Sequence, residues 1–328
     1  MQTWSFILNK SKENLKVVLM VVIDNTGSSP GRKGFKMAVS EDGQLKGSIG
    51  GGVMEQLLVE EARKMIARKD NRIIIRQQEH TPTAVKDSSG MICSGAQTIA
   101  LFHLTSSLLR EAEIILKCLS GRDTKGLIKY SASGISLQIN DLQEHRYQSR
   151  ILSDEHWELT EQIGFFDKLY IFGAGHVSLA LSRICSVLDF DIELYDDRKE
   201  LSTFIENDWV QTKQIVEYNK IEHLIQDEGN SYAVIISFSH HGDEIILEQL
   251  LKKKLRYLGM MGSKAKVRKI KSNLIAKGIT EEKFNEVSAP IGIQINSQTP
   301  DEIAISIAAE IIGVRNGGEE GDADVTPT

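Results

Sequence analysis

The segment Lys168-Leu-Tyr-Ile-Phe-Gly-Ala-Gly-His-Val-Ser-Leu-Ala-Leu181 combines an apolar strand, a glycine turn and the start of a helix. This order is typical of the phosphate-binding turn of a Rossmann unit. Gly173 permits the tight turn, and Gly175 lets backbone N–H groups approach a phosphate. The helix that begins at His176 directs the positive end of its dipole toward that anion. We therefore predict an anion site at these three residues.

The residues after the turn support a βαβ unit. An apolar run, Asp191–Tyr195, lies at the distance of a second strand and leads into Asp196-Asp-Arg198, where a ribose-binding carboxylate is expected. Ser178 stands in place of the usual third glycine. We count Asp196 and Arg198 among the predicted cofactor-binding residues.

After residue 165 strands alternate with helices, which is typical of an α/β domain with a doubly wound parallel sheet. Strands are expected at 168–173, 191–196, 208–210, 232–238 and 255–260, and a helix at Pro300–Val314. Residues 316–328 have the composition of a disordered tail. We predict a Rossmann-like domain over residues 165–314, followed by that tail.

The N-terminal half has the pattern of an α+β domain. An apolar strand at Leu15–Ile23 leads through a loop of small and basic residues to a hairpin, three glycines and an amphipathic helix over Val53–Lys69. The segment Asp141–Gly164 is polar and weakly patterned, so we place the domain boundary there. Residues 1–150 are assigned to the first domain.

A second glycine turn joins the hairpin to this helix, in Ser48-Ile-Gly-Gly-Gly-Val-Met-Glu55. Glycines at a helix N-terminus expose backbone N–H groups to an anion and align the helix dipole with it. The same pattern also fits a tight turn that binds nothing. On the first interpretation, the ligand-binding residues here are Ser29, Lys36, Gly50, Gly51, Gly52 and Glu55.

Length and charge limit the classes of protein that fit. A chain of 328 residues is long enough for two domains. The net charge of −6 gives no general field that would attract nucleic acid or an anionic membrane, so we expect neither as a partner. The apolar run Val17–Ile23 is shorter than the ~20 residues that cross a bilayer. We interpret it as a buried strand of a cytoplasmic protein.

The cysteines Cys93, Cys118 and Cys185 form no CxxC pair, which argues against a disulfide framework and a structural zinc site. Cys118 and Cys185 fall within apolar helical patterns, where cysteine usually acts as a small hydrophobic residue. Cys93 lies in the loop Gly90–Gly95 among small residues. Because thiolates bind soft metals and exchange sulfur, Cys93 is a candidate for those roles, with simple burial as the alternative.

Two further segments place polar residues after predicted strands. His240 and Asp243 follow the strand 232–238 at the carboxyl edge of the sheet, where doubly wound folds bind ligands. We predict that His240 faces a ligand and that Asp243 caps the next helix. Gly262 and Ser263 follow the last strand, and Ser263 is a predicted N-cap at a second phosphate site or a partner surface.

The combination of motifs is more specific than any one of them. The motifs are Gly27-Ser-Ser-Pro30, Lys36-Met37, Gly47–Gly52 with Glu55, the Cys93 loop, Phe172–Val177, Asp196–Arg198, Gly259–Lys264, Pro290–Gly292 and Thr299–Ala304. Together they resemble the XdhC/CoxI family, the accessory proteins that handle molybdenum cofactor for xanthine dehydrogenase and related hydroxylases. The family's usual Cys-Gly-Gly is Cys93-Ser-Gly95 here, which keeps the thiol.

The resemblance implies a fold, a role and partners. It implies an N-terminal XdhC/CoxI domain, a C-terminal Rossmann domain and a homodimer. Such proteins bind molybdenum cofactor (molybdopterin), shield it while a cysteine desulfurase helps install the terminal sulfido ligand, and deliver it to a xanthine dehydrogenase-type molybdoenzyme. By this resemblance Cys93 is a transient molybdenum ligand, and the protein is an accessory factor rather than the dehydrogenase. We also predict that Gly50–Gly52 and Gly173–His176 face a shared cleft.

Two alternatives remain open from the residues alone. An NAD(P)-dependent oxidoreductase would use the Rossmann turn and Asp196, although the spacing of residues provides no convincing catalytic set. A docking protein without a bound small molecule would use the basic segment Lys252–Lys271, which carries nine Lys or Arg residues and no acidic residue.

Overall fold

The computed structural model describes residues 2–79, 95–104, 109–120, 125–141, 143, 145–226 and 229–317. The chain divides into two units, Met1–Gly164 and Phe165–Thr328. Cys93 and the predicted tail beyond Gly317 lie outside the described residues. Within the described part of the chain, no helix is long and apolar enough to cross a membrane.

The first unit combines two antiparallel sheets with helices. Its helices are α1 (Gln2–Lys12), α2 (Gly52–Arg68) and α3 (Leu109–Ser120). Its strands are β1 (Val17–Gly27), β2 (Lys36–Ser40), β3 (Leu45–Gly47), β4 (Ile74–Glu79), β5 (Gly95–Leu104), β6 (Gly126–Ser131), β7 (Gly134–Ile139), β8 (Tyr147–Ser153) and β9 (His156–Ile163). One sheet has the order β3-β2-β1-β5-β4 and the other the order β7-β6-β9-β8.

Strand β1 is central to the first unit because both of its faces are covered. Every residue of Val17–Ile23 is buried. Val18 and Met20 pack in one core with helix α2, whereas Leu19 and Val21 pack in another core with the second sheet. A strand buried on both faces needs a continuous apolar run, and this segment supplies one.

The first unit continues past the predicted limit at residue 150 and ends at Gly164. The polar segment that suggested a boundary instead forms β8 and β9. Trp157, Leu159 and Ile163 of β9 enter the core, whereas β8 is largely exposed. A strand with one solvated face and an exposed edge neighbour carries only a weak apolar signal, which explains the difference.

The second unit is a parallel sheet with helices on both faces, as predicted. Its strands are β10 (Asp167–Phe172), β11 (Phe190–Asp196), β12 (Thr212–Ile215), β13 (Ser231–Ile235) and β14 (Tyr257–Met260). Its helices are α4 (His176–Ser186), α5 (Ser202–Ile205), α6 (His240–Leu250), α7 (Lys264–Ala276), α8 (Glu281–Asn285) and α9 (Pro300–Asn316), with 3₁₀ turns at Tyr218–Lys220 and Glu222–Leu224. The strand order is β12-β11-β10-β13-β14.

Strand β10 lies at the point where the order of the sheet reverses. The chain moves outward from β10 to β11 and β12, then returns to the other side of β10 as β13. Ligands of doubly wound folds bind at such a switch point, outside the carboxyl ends of the strands. The segments that follow Phe172 and Ile235 meet at that edge.

The pleat of β10 distributes its side chains between two cores. Tyr170 and Phe172 pack with α6 and α7, whereas Leu169 and Ile171 pack with α4 and α9. Successive side chains of a strand point to opposite faces, so an unbroken apolar strand requires helices on both sides. Sheet and helices thereby fix the glycine turn that follows Phe172.

The third strand of this sheet lies at Thr212–Ile215, and the predicted strand at 208–210 is wrong. Strand β12 is an edge strand that pairs with β11 alone among the described strands. Its Thr-Lys-Gln-Ile sequence carries no apolar pattern. The predicted segment lies before it, with Trp209 46% exposed.

Lys36 connects the two sheets of the first unit. Its ammonium donates to Glu161 Oε1 at 2.7 Å and to the Gly34 carbonyl at 2.8 Å. The Lys36 and Glu161 side chains are only 10% and 9% exposed. The Tyr130 hydroxyl donates to the other oxygen of Glu161 at 2.8 Å, so both buried charges have partners.

Removing the Lys36 charge should therefore destabilise the first unit. We expect Lys36→Met to lower its free energy of unfolding by about 3 kcal/mol, because the Glu161 carboxylate stays buried without its partner. The measurement is urea unfolding followed by Trp4 and Trp157 fluorescence in a Trp209→Phe background. Lys129→Met, which breaks the exposed pair with Glu158, is the control and should cost less than about 1 kcal/mol. Equal effects would contradict a structural role for Lys36.

Candidate functional site

Gly173 makes the turn after β10 possible. Its φ is +100°, and a Cβ at this position would lie 2.2 Å from the Ile236 carbonyl oxygen. Its N–H donates to the Tyr195 carbonyl at 2.7 Å. Only glycine fits this close approach to the segment after β13.

Ser178 explains why the usual third glycine is unnecessary. Its side chain is fully buried, and the hydroxyl donates to the Gly173 carbonyl at 2.5 Å. The residue thus satisfies a carbonyl of the turn from the first turn of α4. The turn keeps its shape through a hydrogen bond in place of close glycine packing.

Asp196 holds the turn from the end of β11. It is fully buried, and its Oδ2 accepts the Ala174 N–H at 2.6 Å. The Arg198 backbone N–H donates to Oδ1 at 2.9 Å, and the Arg198 guanidinium donates to both oxygens at 2.8 Å. A ribose at Asp196 would have to displace these contacts.

The charge of Asp196 is stabilised inside the protein. Burial acts to raise its pKa, but hydrogen bonds from the Arg198 guanidinium and the Ala174 and Arg198 N–H groups outweigh burial and hold the pKa below its usual value. The carboxylate therefore stays ionised at neutral pH, and it completes the turn from within the protein.

Helix α4 begins at this turn without a side-chain cap. Its N-cap is Gly175, and the Leu179 N–H makes the first helical bond, to the Gly175 carbonyl. The N–H groups between them have no intrahelical acceptor. The other helices of this unit with more than ten residues have side-chain caps, from Ser239, Ser263 and Thr299.

Space is available in front of these N–H groups. A Cβ on Gly175 would meet no atom within 4 Å, and the His176 side chain is exposed. An anion can therefore approach the positive end of the helix dipole directly. The predicted residues Gly175 and His176 therefore lie at a helix start that has no side-chain cap and has open space beside Gly175. That an anion binds there stays a prediction.

The triglycine turn of the first unit also needs glycines with positive φ, but here the protein's own Glu55 carboxylate accepts the hydrogen bonds of the turn. Gly50, Gly51 and Gly52 all have positive φ. Glu55 Oε2 accepts from the Ser48 hydroxyl at 2.7 Å, the Ile49 N–H at 2.8 Å and the Gly51 N–H at 3.0 Å. The protein's own carboxylate thus takes the place that an external anion would use at those groups.

The triglycine turn packs against the loop that contains Ser29. A Cβ on Gly50 would lie 2.7 Å from the Gly31 nitrogen. Ser29 is buried, and its hydroxyl donates to the Gly31 carbonyl at 2.8 Å. The predicted residues Ser29 and Gly50 are therefore neighbours, whereas Lys36 is engaged with Glu161.

A chain of buried amides connects this loop to strands β4 and β5. Gln97 accepts the Gly31 N–H at 2.8 Å and donates to Gln78 at 2.9 Å. Gln78 donates to the Met54 carbonyl in the first turn of α2 at 3.3 Å. Gln78 precedes and Gln97 follows the segment that contains Cys93, so both sides of that segment are tied to the triglycine region.

The remaining cysteines are structural. Cys118 and Cys185 are fully buried, as predicted. Burial raises the pKa of the Cys185 thiol to about 12, which keeps it protonated and unreactive. Among the described residues, no group of three or more His, Cys, Asp or Glu side chains is placed to hold a metal ion.

The start of helix α6 differs from its prediction. The N-cap is Ser239, which accepts the Gly242 N–H at 2.8 Å, and not Asp243. Asp243 is fully buried, where it accepts from Ser237 and forms an ion pair with Lys266. Burying an unpaired carboxylate is costly. Asp243 therefore pairs with Lys266, and Ser239 caps the helix. His240 is exposed at the start of the helix, and its predicted contact with a ligand stays a prediction.

Ser263 is the N-cap of α7, as predicted, and accepts the Lys266 N–H at 3.2 Å. A Cβ on Gly262 would lie 2.7 Å from Lys266 Cδ. Because Ser263 caps the helix itself, this start is less open to an anion than that of α4.

Phe238 is a surface feature that the sequence did not predict. It was expected to lie within a strand, but β13 ends at Ile235 and Phe238 is 85% exposed. The Arg198 guanidinium carbon lies 5.4 Å from the centroid of its ring. An exposed aromatic ring at the carboxyl edge of the sheet can stack on a flat ligand.

Comparison with known families agrees with this fold. The profile of the XdhC Rossmann domain matches residues 169–311, and that of the XdhC and CoxI family matches residues 11–77. The two matches fall in the second and first units and together span more than half of the chain. The chain belongs to the XdhC and CoxI family.

Three similar proteins extend over most of the chain. The uncharacterized protein YqeB of Escherichia coli K12 is 23% identical over 94% of this chain, which spans 46% of YqeB. A probable xanthine dehydrogenase component of Bacillus subtilis 168 is 22% identical, with 92% of this chain and 93% of that protein covered. The molybdenum cofactor insertion chaperone PaoD of E. coli K12 is 23% identical, with 92% and 85% covered.

A solved structure shares the fold. It is a protein of Bacillus halodurans described as a xanthine dehydrogenase, and it is 22% identical to this chain. The comparison has a TM-score of 0.70 and covers 99% of this chain and 98% of the other.

The two glycines of the Rossmann turn should respond differently to substitution. Gly173→Ala should lower the free energy of unfolding by more than about 2 kcal/mol, because of its positive φ and the contact with Ile236. Gly175→Ala should change it by less than about 1 kcal/mol, because Gly175 has ordinary backbone angles and open space around it. Urea unfolding followed by Trp209 fluorescence measures both. A large loss at Gly175 with none at Gly173 would contradict the geometry.

The contribution of Asp196 to stability should depend on pH. Because its folded-state pKa lies below the unfolded value, the contribution is complete above about pH 4 and is lost as the pH falls through the lowered pKa. The difference in unfolding free energy between the wild type and Asp196→Asn should therefore be constant from pH 7 to about pH 5 and shrink in more acidic solution. A difference that grows with acidification would show that the sign is wrong.

Proposed function

We propose that this protein is a molybdenum-cofactor chaperone. It binds and protects the cofactor, supports its sulfuration and inserts it into a xanthine dehydrogenase-type molybdoenzyme. The similarity to PaoD over 92% of the chain supports this role most directly. The open turn at α4 supports it independently, because the cofactor is a pterin that ends in a phosphate.

The phosphate of the cofactor is assigned to the start of α4. The N–H groups that follow Gly175 lack intrahelical acceptors, and the helix dipole favours an anion there. His176 is exposed beside them and can add a hydrogen bond to the phosphate. Asp196 uses the Ala174 N–H, so it shapes this site without covering it.

Within the first unit, Glu55 presents a free carboxylate oxygen to a ligand. Glu55 Oε2 is occupied by the triglycine turn, whereas Oε1 accepts no hydrogen bond from the described residues. A pterin carries N–H donors, and a carboxylate oxygen is a strong acceptor for them. The turn thus presents an acceptor rather than the phosphate cradle that its glycines alone suggest.

Cys93 is assigned to the metal. A thiolate is a soft ligand suited to a dithiolene-bound metal, and it can take part in sulfur exchange. The amide chain through Gln78 and Gln97 supports this assignment, because it ties both flanks of the segment to Met54 and Gly31. Cys93 then acts as a transient ligand during sulfuration by a cysteine desulfurase.

The proposal also includes a homodimer and docking to the recipient enzyme. The basic segment Lys252–Lys271 is partly engaged within the unit, since Lys266 pairs with Asp243 and Lys271 with Glu281. Lys264, Arg268 and Lys269 are exposed on α7. These three provide a surface for an acidic partner, and docking there would weaken with salt.

A charge placed at the open turn tests the proposal. Gly175→Asp should cap α4 and leave the unfolding free energy equal to or about 1 kcal/mol above that of the wild type. It should nevertheless reduce the molybdenum and pterin that copurify by at least about tenfold, because the carboxylate fills the site and repels phosphate. Both are measured anoxically, as metal content and as fluorescent pterin oxidation products.

The controls separate this effect from folding and from the metal contact. Gly175→Ala leaves the N–H groups open and should retain cofactor. Cys93→Ala should lower retained molybdenum, whereas Cys118→Ala removes a buried thiol and should leave retention per folded molecule unchanged. Full retention of cofactor in folded Gly175→Asp protein would refute the phosphate assignment, and an absence of cofactor from the wild type would refute the proposed function.

A further inference from the structure

Phe238 is the most exposed large apolar side chain among the described residues, at 85%. It lies between the end of β13 at Ile235 and the start of α6 at His240, at the carboxyl edge of the sheet. A single exposed apolar side chain is common on protein surfaces, so exposure alone assigns no role to the ring. The surroundings of Phe238 supply three further observations.

The backbone on both sides of Phe238 is held in place. The Ser237 N–H donates to Asp243 Oδ1 at 3.1 Å, and the Ser237 hydroxyl donates to the same carboxylate. Asp243 is fully buried and paired with Lys266. On the other side, Ser239 is the N-cap of α6. A side chain on a loop that is fixed at both ends loses less conformational entropy when a ligand binds to it.

The ring of Phe238 is oriented by Arg198. The guanidinium carbon lies over one face of the ring, 5.4 Å from its centroid, as in a cation–π contact. Arg198 is itself fixed, because its guanidinium donates to both oxygens of the buried Asp196 at 2.8 Å. Since Phe238 remains 85% exposed, the opposite face of the ring is open to solvent.

The loop that carries Phe238 packs against the glycine turn before α4. A Cβ on Gly173 would lie 2.8 Å from the Ser237 Cα and 2.2 Å from the Ile236 carbonyl oxygen. Consecutive Cα atoms are about 3.8 Å apart, so the Phe238 Cα lies less than about 10 Å from Gly173. The ring is therefore within reach of a small molecule bound at the start of α4.

The proposed cargo matches this arrangement. A pterin is a flat conjugated ring system, and flat rings stack on aromatic side chains in an offset geometry. The cofactor carries its phosphate and its pterin in one small molecule, so a phosphate at the start of α4 brings the pterin close to Phe238. Stacking uses the face of the pterin and leaves its N–H edge for a carboxylate acceptor.

We propose that the open face of the Phe238 ring stacks on the pterin of the bound cofactor, with the Arg198 guanidinium on the other face. The inference rests on the proposed function and names the residue that recognises the flat ring. It adds selectivity for a ring to a helix start that by itself selects only an anion.

Titration of the full-length protein with a pterin phosphate tests the proposal. The protein is purified from cells that make no molybdenum cofactor, and the probes are pterin-6-ylmethyl phosphate and inorganic phosphate. Pterin fluorescence anisotropy gives the affinity for the first probe, and backbone amide shifts give the affinity for the second. The wild type should bind the pterin phosphate more tightly than inorganic phosphate.

Phe238→Ala should weaken binding of the pterin phosphate at least about tenfold, because it removes the stacking surface. It should leave the affinity for inorganic phosphate and the free energy of unfolding unchanged, since the ring is exposed. Phe238→Trp keeps a flat ring and should retain the affinity, whereas Phe238→Leu keeps only apolar bulk and should lose it. Phe35→Ala, at a 43% exposed phenylalanine of the first unit, is the matched control and should bind as the wild type does.

The stacking is overturned if Phe238→Ala binds the pterin phosphate as tightly as the wild type, or if the wild type prefers inorganic phosphate. A Phe238→Ala protein that keeps its pterin affinity but binds a recipient molybdoenzyme more weakly would overturn it as well and make the ring a partner contact. Copurification of molybdenum and pterin with the wild type is measured separately, so the chaperone role stands or falls on a different result.

Discussion

The buried carboxylate of Asp196 is the constraint on which the second unit's site depends. An ionised group without solvent requires partners, and Asp196 finds them in the Ala174 N–H and in Arg198. These bonds fix the turn between β10 and α4 from the neighbouring strand. They also use both oxygens of the carboxylate that a nucleotide ribose normally contacts in this fold.

The two glycine turns show how one sequence pattern leads to different chemistry. Both follow a strand, and both start a helix. In the first unit Glu55 folds back from the first turn of α2 and accepts the N–H groups of Ile49 and Gly51. In the second unit no side chain caps Gly175 and the space before it is open. The first turn therefore offers an acceptor to a ligand, and the second offers donors.

The sequence predicts the buried strands well, because a strand that is buried on both faces needs a continuous run of apolar residues. The apolar runs at β1, β10 and β11 and the glycine that needs a positive φ at position 173 can be recognised without coordinates. Edge strands carry little apolar pattern. Strands β8 and β12 are exposed and polar, and for this reason the predicted end of the first domain at residue 150 and the predicted third strand were misplaced, whereas the predicted start of the second domain at residue 165 agrees with the structure.

The chemistry of the site depends on distant pairings that spacing cannot reveal. Lys36 lies among basic residues that suggested an anion site, yet its partner is Glu161. Asp243 lies near the start of a helix, where its sequence position suggested a cap, yet it forms an ion pair with Lys266. The Glu55 contact is different because its partners are close in sequence. A carboxylate in the first helical turn after three glycines is a sequence feature from which this internal contact could have been predicted.

We propose that the α4 turn is open to an anion, whereas Glu55 already occupies the triglycine turn. The most direct measurement is a titration of ¹⁵N-labelled protein with inorganic phosphate, followed by the backbone amide shifts. We expect the amide signals of Gly175 and His176 to shift with added phosphate and those of Ile49 and Gly51 to stay unchanged. Shifts at Ile49 and Gly51, with none at Gly175 and His176, would contradict it.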